Sequence, residues 1–283
     1  MDNRQPKRVI RNKKENIYLG TWTVLTMLQP GKMQEVAEQI LQRELQIIAL
    51  QEIRWKGQGQ IKKDKYNLYY SCKEGQTGQL GTGFLAKKET VKNIMGFEPI
   101  NERIYKLRLK GKYHNITIIN IHAPTEEKDE ETKERFYAEL QQTQEKVPKH
   151  DPLIILGDYN AKIGRERAYQ KVIRNHTLHD ITNRNGELVY EYTIANNMVV
   201  ASTFFQHKNI HKGTWISPDT LILNQINHVL VNNNKKQVIE DVRTLRGSNC
   251  DSDHFLVKVV VKQKLIITQK EFVKKLRWNI SNL

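Results

Sequence analysis

Short apolar runs in this chain end repeatedly at residues able to do acid–base or ligand chemistry. QIIALQE closes on Glu52, INIHAP carries His122, and LIILGDYN closes on Asp158 and Asn160. NQINHVLV opens near Asn227 and His228, and CDSDHFLVKV opens on Asp253 and His254. Carboxylates, imidazoles and amides drawn to one rim suit a hard divalent cation together with a phosphate, because such cations prefer oxygen ligands and a phosphate needs positioned donors. Taken singly, each group has a plainer reading. Glu52 reads as a surface carboxylate at a strand end and His122 as an edge histidine. Gly157, Asp158 and Asn160 read as a turn, and Asp253-His254 as a cap. The recurrence argues for convergence, and so does a buried-type strand aimed at Asp158, which is more than a turn requires.

Those ends need strands that meet. Residues 17–24 alternate at the strand period, whereas 31–45 carries Met33, Val36, Ala37, Ile40 and Leu41 at helical spacing. Runs at 46–50, 80–87, 153–156, 198–202, 226–231, 239–244 and 255–261 read as strands. Residues 103–109 and 115–122 read as a hairpin about Lys110-Gly111-Lys112. Helices are expected over 132–144, closed by Pro148, and over 187–196, after an Asn185-Gly186 turn. Strands outnumber helices and hairpins mix with βα units, unlike the strict alternation of a doubly wound sheet. The expected fold is α/β (α+β): a two-sheet β-sandwich core flanked by helices. One domain is expected over 17–262, between a basic N-terminal tail at 1–16 and a basic C-terminal extension at 263–283.

The chain has 283 residues, a formal net charge of +15 and 38% apolar residues. Residues 1–16 hold net +4 and residues 262–283 net +5, so most of the excess lies at the ends. That pattern favours a polyanion, nucleic acid first, and the N-terminal run also reads as a nuclear address. No apolar run approaches the roughly 20 residues of a membrane span, so no membrane partner is expected. Cys72 and Cys250 are too few for a disulfide framework or a four-cysteine zinc site. The start lacks the apolar core of a secretory signal. The expectation is a soluble, non-secreted protein, nuclear or else cytoplasmic, with no obligate protein partner. His176 with His179, and His207 with His211, lack the further ligands zinc needs.

In order, LGTWTV, ALQE, GTGF, NIHAPT, LGDYNAKIG, GTW, INHVLV and SDH resemble the endonuclease/exonuclease/phosphatase superfamily, the fold of DNase I and the apurinic/apyrimidinic endonucleases, over about residues 17–262. Within it, EKDEETKERFY, STFFQHKNIHKGTWISPD and DVRTLRG with CDSDH are similar to craniofacial development protein 2-like sequences and to the endonuclease domain of non-LTR retrotransposons. KLRWNISNL resembles the start of the connection from such a domain toward a reverse transcriptase.

The resemblance implies a DNase I-like fold, Mg²⁺ (or Mn²⁺) as cofactor, DNA as partner and phosphodiester hydrolysis. It implies Glu52 and Asp253 at the metal, Asp158 deprotonating the attacking water, and Asn160 stabilising the phosphorane-like oxygens. His254 would bond the scissile phosphate or assist proton transfer, and His122 stands where many relatives have Tyr. Thr214 and Trp215 would touch the phosphate and wall the substrate side. Two positions depart from the family. Thr23, counted with Thr214 and Trp215 among the substrate-binding residues, stands where TWNV has Asn, and Asn227, counted among the catalytic ones, stands where IDH has an Asp that orients the histidine, here His254. An amide brings no negative charge and is able to impose the other imidazole tautomer. Three functions are therefore weighed: a Mg²⁺-dependent DNA endonuclease, a catalytically weakened retroelement-derived nucleic-acid-binding protein, and a phosphoinositide or small-phosphoester phosphatase. Fold alone does not separate them.

Overall fold

The computed structural model describes residues 16–75, 78–248 and 250–263. The strands are β1 (Ile17–Thr23), β2 (Ile47–Gln51), β3 (Gln58–Lys62), β4 (Tyr66–Ser71), β5 (Thr82–Lys87), β6 (Ile94–Pro99), β7 (Ile104–Leu109) and β8 (Ile116–His122). They continue with β9 (Leu153–Asp158), β10 (Met198–Val200), β11 (Trp215–Ile216), β12 (Leu223–Asn224), β13 (Asn227–Asn232), β14 (Ile239–Leu245) and β15 (Leu256–Val261). The helices are α1 (Lys32–Gln42), the single turn α2 (Lys88–Val91), α3 (Glu130–Glu145) and α4 (Arg184–Ala195). Seven strands form one sheet in the order β14-β15-β1-β2-β5-β4-β3, and six form the other in the order β10-β13-β9-β8-β7-β6. The sandwich expected from the sequence is thus present. The basic tail and the C-terminal extension lie almost wholly outside the described residues.

Strand alternation builds three apolar layers. Leu19, Ile47, Ala49, Phe84, Leu107, Ile118, Leu156 and Val229 meet between the sheets. Val36, Ala37 and Ile40 of α1 pack with Ile48, Leu50 and Leu85 on the outer face of the seven-stranded sheet. Phe136 and Leu140 of α3 and Val189 and Tyr192 of α4 pack with Ile119 and Ile155 on the outer face of the six-stranded sheet. Each fully buried Leu or Ile contributes about 1.5–3 kcal/mol relative to exposure.

Two parallel pairs set the polarity. β1 and β2 run parallel with α1 between them in sequence, as do β8 and β9 with α3. The C-terminal ends of these four strands therefore lie at one rim, joined by the N-terminal end of antiparallel β13. Gly157 permits the closest approach. Its φ is 151°, and a β-carbon there would run into the Ile121 carbonyl of β8. No L side chain fits immediately before Asp158 without parting the strands.

The helix α4 begins earlier than the Asn185-Gly186 pair predicts. The Asn183 side chain caps it, accepting from Gly186 N at 2.9 Å, and the Glu126 carboxylate accepts from the amides of Arg184 and Asn185, each at 3.1 Å. These acceptors satisfy the first-turn amides, so a pair that reads as a turn becomes the first turn of helix. No helix among the described residues is long and apolar enough to cross a membrane.

Candidate active site

The period-two alternation that points Leu19, Ala49, Ile118, Leu156 and Val229 between the sheets continues to the strand ends, where the side chains turn polar. On that face lie Thr23, Gln51, Asn120, His122, Asp158 and Asn227, all buried. Register brings them level: Thr23 pairs with Gln51, His122 with Asp158, and Asn227 with Asp158. A polar end layer of the sandwich follows from strand geometry alone.

Hydrogen bonds knit this layer across the two sheets. Gln51 Nε2 donates to Asn120 Oδ1 at 2.6 Å, and Asn120 Nδ2 donates to the carbonyls of Leu50 and Gly83, each at 2.8 Å. The Thr23 hydroxyl lies 3.3 Å from Gln51 Oε1 and 3.2 Å from Asp158 Oδ2. It has one proton for these two acceptors. It accepts from Asn227 Nδ2 at 3.3 Å, and Asn227 Oδ1 faces His254 Nδ1 at 3.0 Å. The amide's donor being turned to Thr23, its oxygen takes the Nδ1 proton of His254. Nε2 then lies 3.7 Å from Asp158 Oδ2 and 3.9 Å from Asp253 Oδ1. Asn227 therefore selects the same ring orientation a carboxylate would. The tautomer is retained and the negative charge is lost.

Asp158 Oδ1 accepts from the Asn160 amide at 3.0 Å, within a turn where Asn160 takes φ 48°. The Asn160 side chain donates one hydrogen to the Ala123 carbonyl at 2.9 Å. Its second amide hydrogen is available to a ligand. Asn185 Nδ2 ties this turn down through the Pro124 and Asn160 carbonyls, both at 3.0 Å.

Glu52 follows β2 in left-handed backbone at φ 58°, and Arg54 repeats that conformation at φ 60°. Left-handed non-glycine residues cost about 1–3 kcal/mol each and persist only where the surroundings hold them. The buried Ile53 between them supplies the hold, donating to Gly81 O at 3.1 Å and accepting from Met27 N at 3.0 Å. Glu52 Oε2 accepts from Arg54 Nη2 at 2.6 Å, and Oε1 lies 3.6 Å from His122 Nε2. Burial lowers the affinity of His122 for a proton, outweighing the pull of Asp158 and Glu52, so its ring is neutral at pH 7. His122 Nδ1 is buried without a partner among the described residues. Arg103 Nη1 donates to the His122 carbonyl at 3.0 Å.

The segment before β15 completes the rim. Trp22 Nε1 donates to the His254 carbonyl at 2.9 Å, and the Ser252 hydroxyl donates to Thr23 O at 2.6 Å. Trp215 Nε1 donates to Asp253 Oδ2 at 2.8 Å, while Asp253 Oδ1 is buried and has no hydrogen-bond partner among the described residues.

The family described as Endonuclease/Exonuclease/phosphatase family matches residues 27–257. The chain belongs to that family. Craniofacial development protein 2 of Tragulus javanicus is 31% identical over 261 residues, covering 92% of this chain and 45% of that protein. The Bos taurus protein of the same name is also 31% identical, covering 92% of this chain and 43% of its own length. The chain thus spans less than half the length of these relatives. Among solved structures, the Xenopus laevis APE2 catalytic domain superposes with a TM-score of 0.66 at 18% identity, covering 90% of this chain and 94% of that one. The endonuclease domain of TRAS1, a telomere-specific non-LTR retrotransposon, gives 0.60 at 12% identity, covering 90% and 100%. The two-sheet architecture agrees with that fold.

Within this family framework, the structure brings together Glu52, His122, Asp158, Asn160, Asn227, Asp253 and His254. Two expectations need correction. Thr214 does not face a substrate: it is buried, and its hydroxyl accepts from the amides of Ile226 and Asn227 at 2.9 and 3.0 Å, so it positions β13. Thr23 is wholly buried at the hub of the network, with no surface to offer a ligand. His228, adjacent to Asn227 but of opposite parity, points away, with Nε2 on the Ala161 carbonyl at 2.9 Å and Nδ1 on Ser202 Oγ at 3.0 Å.

Gln51, Asn120, Arg54 and Arg103 escape sequence reasoning. Parity would have found the two amides, since each lies two residues beyond a core-facing neighbour. As for a cation, no group of three His, Cys, Asp or Glu among the described residues forms a cage. Mg²⁺ needs none, holding one or two carboxylates and completing its shell with water and phosphate oxygens. Glu52 and the orphan oxygen of Asp253 are hard donors of that kind, so the site fits such an ion.

Proposed function

We propose that this chain is a metal-dependent phosphodiester hydrolase acting on DNA, an endonuclease of the apurinic or retroelement type, whose turnover is slowed by Thr23 and Asn227. The observation that carries this reading is the convergence of Asp158 Oδ2, at the end of β9, and His254 Nε2, in the segment before β15, at 3.7 Å from chain positions almost a hundred residues apart. Glu52 and Asp253 would hold Mg²⁺, with Mn²⁺ as a substitute. When bound, such an ion supplies Lewis-acid neutralisation of the charge that develops on phosphate.

The chain's own groups do the rest. Asp158, held by Thr23 and Asn160 N, keeps free lone pairs to orient a water and take its proton. Asn160 offers its second amide hydrogen to a phosphoryl oxygen as charge builds. His254 faces the same space through Nε2, and once protonated there it would donate to the phosphate. Asn227 holds the ring but contributes no charge to stabilise its doubly protonated form.

One basic group near the site supports a polyanion: Arg246 stacks at 4.0 Å on Phe255, next in sequence to His254. The same absence of charge at Asn227 favours, as second reading, a retroelement-derived nucleic-acid-binding protein that cuts little. The basic residues at 1–16 support a nuclear location. Supercoiled plasmid incubated with Mg²⁺ or with EDTA tests the proposal. Metal-dependent nicking is expected from the wild type and lost in Asp158→Asn. Binding without nicking at any Mg²⁺ concentration would leave the second reading in its place.

A further inference from the structure

Arg54 is tied to Glu52 by backbone geometry rather than by chance encounter of surface chains. The left-handed residues at 52 and 54 place both side chains on one side of the buried Ile53. Arg54 itself is anchored through its amide to Leu80 O at 2.8 Å and through its carbonyl to Gly78 N at 2.9 Å. Its guanidinium meets Glu52 Oε2 at 2.6 Å, and among the described residues that carboxylate is its one side-chain hydrogen-bond partner. The Arg54 side chain is 36% exposed and that of Glu52 18%, so one flank of the fork is open to solvent.

The second guanidinium nearby is differently placed. Arg103 is committed to the His122 carbonyl. A divalent ion on Glu52 would sit beside a fixed positive charge at Arg54, and the two cations repel. A phosphate offers the same fork a better, bidentate acceptor.

We propose that Arg54 is a displaceable counter-cation on Glu52, which yields the carboxylate to a divalent metal when a substrate phosphate takes its guanidinium. Metal loading and polyanion binding then reinforce each other. This rests on the hydrolase reading for the roles of Glu52 and the phosphate, and it adds a coupling that reading does not require.

The test is equilibrium Mn²⁺ binding to the full chain, read from the electron paramagnetic resonance signal of free Mn²⁺, with and without a phosphorothioate DNA duplex that resists cleavage. Wild type is expected to bind Mn²⁺ about twofold to fivefold more tightly when the duplex is present, the range for releasing one part-exposed ion pair. By linkage the duplex gains the same factor from Mn²⁺. Arg54→Met is expected to bind Mn²⁺ more tightly than wild type without DNA and to lose the coupling. Arg54→Lys, which keeps the charge without the fork, should lie between and guards against a folding defect in the first variant. Unchanged or weaker Mn²⁺ binding in a folded Arg54→Met protein, or coupling that survives the substitution, would overturn the proposal. Plasmid nicking that persists alongside such a result leaves the hydrolase reading standing. Absence of saturable Mn²⁺ binding in every protein refutes both the coupling and the cation at Glu52.

Discussion

Restoring the charge at position 227 is the sharpest test of the slowed-hydrolase reading, and the structure shows why it must be done together with position 23. In Asn227→Asp, the group at 3.0 Å from His254 Nδ1 changes from a neutral to a charged acceptor. Charge-assisted hydrogen bonds exceed neutral ones by about 1–1.5 kcal/mol, which corresponds to roughly tenfold in rate where the imidazolium exists only on the way to the transition state. The other oxygen of the new carboxylate would replace the amide nitrogen that now lies 3.3 Å from Thr23 Oγ1. Thr23 would then face that introduced carboxylate, Asp158 and Gln51 Oε1 with a single proton, and two carboxylates would share one donor. Thr23→Asn removes that conflict, since its amide carries two hydrogens. Alone, however, it sets a second amide donor against that of Asn227. The expected cycle is thus a modest gain for Asn227→Asp, a loss for Thr23→Asn, and at least about tenfold over wild type for the double variant, more than the product of the single effects. The assay is single-turnover nicking of supercoiled plasmid at saturating Mg²⁺, with thermal stability as control. A folded double variant no faster than wild type would refute the argument.

Three further outcomes follow from the same geometry. Gly157→Ala should cost about 2–4 kcal/mol in urea denaturation and abolish nicking, because the added carbon meets the Ile121 carbonyl; an unchanged midpoint would contradict the close approach. Gln51→Leu and Asn120→Leu should each cost about 1–3 kcal/mol by orphaning a buried amide, and the double variant should cost less than their sum; strict additivity would deny the bridge. Burial pushes His228 from its ordinary 6.5 down to about 4, against the pull of the Ala161 carbonyl. Between those values the unfolded chain binds the extra proton and the folded chain does not. The contribution is therefore intact above pH 6.5 and falls by about 3 kcal/mol as pH drops toward 4, and His228→Gln should flatten that slope. His179, likewise lowered to about 4 by burial but part-exposed, adds a smaller change of the same sign.

The strands that carry the site were legible because they are apolar and buried: β1, β2, β8, β9, β13 and β15 each read as an alternating or continuous run. The edge strands β3 and β6 were not, since an edge need not be apolar, and QGQIK shows no alternating pattern of its own. β4 hid for another reason. Its Asn67 and Ser71 are buried polar residues, satisfied by the Tyr69 hydroxyl two residues along the same strand and by the distant Asn101 carbonyl, so their burial is not announced by apolar type. Glu52 and Arg54 illustrate the deeper limit. Their types were visible, but their meeting depends on two left-handed residues held by contacts to Met27 and Gly81, distant in sequence.

Why the ends of two separate sheets stay aligned closely enough for chemistry is the remaining question, and the apolar layer between them is only part of the answer. Hydrophobic packing is non-directional and tolerates small slides. The polar end layer does not. Gln51 to Asn120, Thr23 to Asp158 and Asn227 to Thr23 pass between the seven-stranded and the six-stranded sheet, and His254, in the segment before β15, reaches Asn227 of the six-stranded one. A slide of one sheet by about an ångström would disturb the three sheet-to-sheet contacts together and leave buried amides unpaired, at about 1–3 kcal/mol each. The residues that would do the chemistry are thus members of the network that fixes the sheets. Thr23 and Asn227 thus hold the His254 ring through a neutral acceptor at 3.0 Å from Nδ1, with no carboxylate at that position.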